Sequence, residues 1–163
     1  MNTKRITAAA FAALATFALS AQNQPQLPFP DLVGPLKATP GCLGVETART
    51  ASGKMVIFAW FEDKKAVMRW YNSALHQQLV KMAGPPDTGH VPLAGIADDI
   101  GPILAVASLT LSNEPPKGSP LPVSQIAIEL YQPLPGGVFV GGRFAPNSVK
   151  VPGMRDFSPP AAK

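Results

Sequence analysis

The sequence predicts an α+β domain, with an antiparallel sheet of about five strands and one main amphipathic helix packed across it. Three observations carry that expectation. Residues 41–84 hold no proline in a chain that has 19 prolines among 163 residues, so this block is where regular structure can run uninterrupted. Within it a turn, Ala51-Ser52-Gly53, separates two runs of strand-forming residues. Apolar residues then recur at helical spacing.

Leu43 to Arg49 reads as a short strand and Lys54 to Phe61 as its hairpin partner, dense enough in Val, Ile, Phe and Trp for burial on both faces. Glu62-Asp63 opens the helix, where negative charge suits the positive end of the helix dipole. Val67, Trp70, Tyr71, Ala74, Leu75, Leu79 and Met82 form its apolar stripe, and Gly84-Pro85-Pro86 stops it. Farther on, Ile103 to Leu111 and Val123 to Gln132 read as strands, the second with Ser124, Ile126, Ile128 and Leu130 on one face. Pro133-Leu134-Pro135-Gly136-Gly137 turns the chain, and Val138 to Phe144 is expected to return as a second hairpin with 123–132.

The ends read differently. Met1 to Arg5 is basic, Ile6 to Leu19 is apolar, and Ala18-Leu19-Ser20-Ala21 offers small residues for cleavage, the pattern of a secretory leader. The apolar run is shorter than the ~20 residues needed to span a bilayer, so no membrane span is expected after cleavage. The expected organisation is a leader over 1–20, a Pro-rich linker over 21–40 with at most a short turn at 31–37, the α+β domain over 41–145, and a loosely ordered Pro-rich tail over 146–163. The expected location is the periplasm or the cell exterior.

Composition excludes several functions. Without Lys4 and Arg5 the formal charge falls from +4 to +2, and no run of basic residues interleaves with aromatics, so nucleic acid is not an expected partner. One cysteine, Cys42, rules out an internal disulfide, and two histidines make a dedicated metal site improbable. Cys42 fits a buried, inert thiol or a free one open to intermolecular pairing. No phosphate-cradling or nucleophile-elbow motif is present.

Pro40-Gly41-Cys42-Leu43-Gly44-Val45-Glu46, then Phe58-Ala59-Trp60-Phe61-Glu62-Asp63-Lys64-Lys65-Ala66, then Trp70-Tyr71-Asn72-Ser73 resembles the middle of an antibiotic-biosynthesis-monooxygenase-like domain. The resemblance implies a ferredoxin-like βαββαβ fold whose sheets pair into a dimeric α+β barrel, hence a homodimer. That family opens with a strand and a helix for which residues 22–40 offer no counterpart, and the strand at 103–111 is the candidate for the vacant central place. Members include oxygenases that act on electron-rich polyphenols without metal or flavin, so no cofactor is expected. Haem-degrading relatives carry a histidine about ten residues after a helical tryptophan. Here Val80 stands at that spacing from Trp70, which argues against haem.

An oxygenase of this kind needs a dry pocket and a base. His76 is the candidate base, Trp60 and Trp70 the candidate walls, and Asn72, Glu129 and Arg143 candidate polar contacts to substrate. Each has a structural alternative. His76, Asn72 and Ser73 also fit a solvated helix face, the tryptophans fit core packing, and Glu129 with Arg143 fits a cross-strand ion pair. The resulting expectation is an exported cofactor-independent monooxygenase for a small aromatic substrate, or a non-enzymatic binder of a small apolar ligand or envelope-associated protein.

Overall fold

The computed structural model describes residues 30–83, 91–112, 114, 117 and 120–160. The expected leader therefore lies outside the described residues, as do residues 21–29 of the expected linker. The elements run in the order α1 (Val33–Ala38), β1 (Cys42–Arg49), β2 (Met55–Phe61), α2 (Lys64–Tyr71), α3 (Ala74–Ala83), β3 (Ile103–Leu111), β4 (Val123–Tyr131), β5 (Val138–Phe139) and β6 (Arg155–Asp156). The α+β class is the observed one.

The main sheet is a four-stranded antiparallel meander, β1-β2-β3-β4. The β1–β2 turn is closed by Gly53 at φ +84°, a conformation that favours glycine, and by Thr50 Oγ1, which accepts from the Lys54 amide at 3.0 Å. Register then fixes two faces. Val45, Ile57, Ala59, Phe61, Ile103 and Leu109 point to one side and join Leu36, Ala66 and Val67 in the core. Gly44, Val56, Phe58, Trp60 and Leu104 point to the other.

The helices lie on the first side. Asp63 caps α2 by accepting from the Ala66 amide at 2.7 Å, and the Lys64 amide donates to the Ile100 carbonyl at 3.0 Å, which ties the helix start to the approach to β3. Gly101 lies so close to this corner that a Cβ there would collide with the Glu62 carbonyl. The stripe at 67–82 is two helices rather than one. The chain bends at Asn72 (φ −87°, ψ 1°), and Ser73 Oγ accepts from the His76 amide at 3.2 Å, capping α3. Asn and Ser compete for backbone groups in this way and end helices even within an apolar stripe.

The C-terminal third departs from expectation. The strand expected over 138–144 does not pair with β4, so the second hairpin is absent and the main sheet has four strands rather than about five. Only Val138–Phe139 is strand, and it pairs in parallel with β6. Glycines at 136, 137 and 141 with positive φ break the extended run. Nor are residues 146–158 loose. The Phe144 ring meets Phe58 edge-on at 4.9 Å, Pro146 sits over Gly44, and Val149 is 0% exposed. Through Phe144 and Pro146 the segment from 136 to 158 rests on the second face of β1 and β2. Periodicity is blind to such a cover, because its residues pack one at a time instead of along a repeating face.

The face shared with the core stays open at β4. Ile126, Ile128 and Leu130 lie opposite Leu109, Ala107 and Ala105, yet all three are exposed. Helix α1 packs on β1 and α2 on β2, which leaves this edge uncovered.

Candidate functional site

His76 is placed by the break between α2 and α3. Its ring Nδ1 lies 2.9 Å from the Tyr71 carbonyl. A carbonyl only accepts, so Nδ1 carries the proton and Nε2 the lone pair. The Gln77 side-chain amide donates to the same carbonyl at 2.7 Å. The imidazole is flanked by Trp70 at 5.7 Å and Tyr71 at 5.0 Å between ring centres. It is 9% exposed, so the expected solvated setting is corrected. The single continuous helix assumed there would have carried this position outward, and the bend turns it in.

Burial pushes the His76 pKa below its ordinary value, and the Tyr71 hydrogen bond only partly opposes this. The ring is thus neutral at pH 7, with a defined tautomer and an unprotonated Nε2. Tyr71 and Gln77 were not among the sequence candidates. The Asn72-Ser73 pair, a helix end followed by a cap, was the signal that could have found them.

The remaining candidates do not converge on His76. Trp70 packs against the helix-side core, whereas Trp60 alternates with Ala59 and Phe61 and lies on the other face, so the two tryptophans cannot wall one pocket. Trp60 is 6% exposed, and its Nε1–H has no hydrogen-bond partner among the described residues, a state that costs about 1–3 kcal/mol. Asn72 lines an open polar hollow of about 610 Å3 with Lys64, Lys65, Met68, Arg69 and Asp98. Two of its cations are engaged. Lys64 pairs with Asp98 at 3.2 Å, and Arg69 donates to the Pro40 carbonyl at 2.8 Å.

Glu129 and Arg143 form no ion pair, because residues 138–144 are not β4's partner strand. The Glu129 carboxylate accepts from the Tyr131 hydroxyl at 2.8 Å. Arg143 donates instead to the carbonyls of Pro146 at 2.8 Å and Val149 at 2.6 Å, where it organises the C-terminal cover. Cys42 is half-buried and burial raises its pKa, so its thiol is held protonated.

An apolar cavity lies at the open end of the helix-side face. It measures about 430 Å3 and is lined by Leu93, Ile96, Ile100, Ile103, Leu130 and Tyr131, among others. Leu130, one of its walls, shares a face of β4 with the exposed Ile126 and Ile128. The loop that carries Leu93 holds it at φ +54°.

Residues 22–82 match the antibiotic biosynthesis monooxygenase family. This antibiotic-biosynthesis-monooxygenase-like segment is a little over a third of the chain. It includes α1, the β1–β2 hairpin, α2 and all but the last residue of α3, and so the whole setting of His76. The cavity at 93–132 and the C-terminal cover lie beyond the match. No curated protein and no solved structure matches the chain.

A pH test follows from the His76 environment. Its folded pKa is depressed, so its contribution to stability is complete above the unfolded value of about 6.5 and is lost as pH falls below that value toward the folded pKa. The melting temperature is expected to fall on acidification below about pH 6.5, and His76→Gln should remove that part of the slope. Parallel curves for the two proteins would contradict the assignment.

Proposed function

We propose that this domain binds a small aromatic molecule and oxygenates it without a cofactor, with His76 Nε2 as the base. The observation that carries the reading is the neutral imidazole with a fixed tautomer, held between Trp70 and Tyr71 inside the segment that matches the monooxygenase family. A base for C–H or O–H removal at neutral pH needs a free lone pair and a pKa near or below the working pH. On an anthrone-like substrate Nε2 takes a ring-methylene proton. The carbanion transfers electrons to dioxygen and forms a peroxide. Loss of water then leaves the ketone, so one oxygen atom enters the product and the other departs as water. Dioxygen is the only oxidant required.

A second reading is favoured by one observation. His76 is not among the residues that line the 430 Å3 apolar cavity. A ligand seated there is held away from the base, as in a binding protein without turnover.

Oxygen uptake on anthrone, with chelator present, separates the two readings. Under the enzyme reading His76→Ala lowers the protein-dependent rate by about 10²–10⁴-fold while anthrone still raises the melting temperature. A rate unchanged in His76→Ala sinks the assigned base. Stabilisation by anthrone with no uptake in either protein supports the binding reading.

The same proposal includes export through residues 1–20 and a homodimer whose contact uses the open Ile126, Ile128 and Leu130 stripe. Native mass spectrometry of the protein from an exporting host is expected to give a dimer of chains that begin at Ala21 or Gln22. Chains that retain Met1 would overturn the export reading, and a monomer at micromolar concentration would overturn the dimer.

A further inference from the structure

The segment from 136 to 158 rests on the second face of β1 and β2, through Phe144 and Pro146, without joining the sheet. Each hydrogen bond that the described residues show for this segment closes within it. Gly136 N donates to Pro152 O at 2.7 Å, Val149 N to Pro146 O at 3.0 Å, Arg155 N to Gly137 O at 3.0 Å and Phe157 N to Phe139 O at 2.9 Å. Arg143 gathers the Pro146 and Val149 carbonyls, and Gly141 N donates to Ser158 Oγ at 2.7 Å. The segment is thus a self-bonded unit, and it docks by packing alone, Phe144 on Phe58 and Pro146 over Gly44. It is joined to β4 through Gln132-Pro133-Leu134-Pro135-Gly136-Gly137, whose two glycines sit at φ +103° and +94°. A unit bonded to itself and hinged on glycine can lift without breaking the ladder of the sheet.

The floor beneath it is apolar and carries one unsatisfied donor. Val56 and Trp60 are both 6% exposed, Phe58 lies between them along β2, and Trp60 Nε1–H has no partner among the described residues. Such a group is stabilised by any occupant that brings an acceptor oxygen to it.

We propose that residues 143–149 are a displaceable cover over a second binding site, floored by Val56, Phe58 and Trp60, for a flat aromatic molecule whose carbonyl accepts from Trp60 Nε1. This site is on the opposite side of the sheet from His76 and does not depend on the activity proposed above. When the cover lifts, the aromatic ligand takes the place of Phe144 and Pro146, and the indole gains its acceptor. Arg143 sets the threshold, because it holds the cover in shape.

The test uses the full chain in a Trp70→Phe, Cys42→Ser background, so that emission comes from Trp60 alone, with anthraquinone-2-sulfonate as probe. A Cβ built at Gly44 lies 3.5 Å from Pro146 Cβ, within the range a disulfide spans, so Gly44→Cys with Pro146→Cys can lock the cover. In the reduced lock variant the probe is expected to quench Trp60 saturably. The oxidised form should bind at least tenfold more weakly, and reduction should restore binding. Equal saturation in both redox states, or no saturable quenching in the reduced and parental proteins, overturns the proposal. Should the lock variant fail to fold, Arg143→Ala decides. It is expected to bind the probe about tenfold more tightly with an unchanged far-UV circular dichroism spectrum, and equal or weaker binding overturns the proposal.

Discussion

The structure depends on burying β2 from both sides. Val56, Ile57, Ala59, Trp60 and Phe61 are all buried, and a strand alternates its side chains between two faces. One set of these residues therefore needs the helices and the other set needs a separate roof. Helices α1 and α2 provide the first, and the C-terminal segment provides the second. The helix-side roof is short, since the helices have six, eight and ten residues. The helix-side roof therefore ends before β4, and the apolar cavity and exposed stripe at that edge follow from this shortfall.

That arrangement also separates the functional elements. The bend at Asn72-Ser73 turns a would-be surface histidine inward, where the Tyr71 carbonyl fixes its tautomer and burial keeps it neutral. Helix α2 and the bend after it put Trp70 beside His76 on the helix side, and strand alternation along β2 puts Trp60 on the far side. The two tryptophans report on two environments, and the sheet between them is the partition.

The proline-free block was legible because its signals are local. Val, Ile, Phe and Trp in a seven-residue strand, a Ser-Gly turn and an acidic helix start each act within a few residues, and β1, β2 and the start of α2 lie close to where those signals put them. The C-terminal third was not legible. Its glycines at 136, 137, 141 and 142 read as hairpin and bulge positions, but three of them take positive φ and send the chain over the sheet instead of along β4. The ion pair assigned to Glu129 and Arg143 failed for the same reason. It assumed a strand pairing that tertiary packing of Phe144, Pro146 and Val149 overrides. At His76 the helical period placed the residue, and a polar pair inside that period reversed its exposure.

Residue-resolved amide hydrogen exchange tests the two-sided burial of β2 most directly. The β2 amides, paired to β1 and β3 and roofed on both faces, are expected to exchange most slowly in the chain. Those of β4, paired on one edge only and largely exposed, should exchange much faster. β2 amides that exchange as fast as those of β4 would contradict the account.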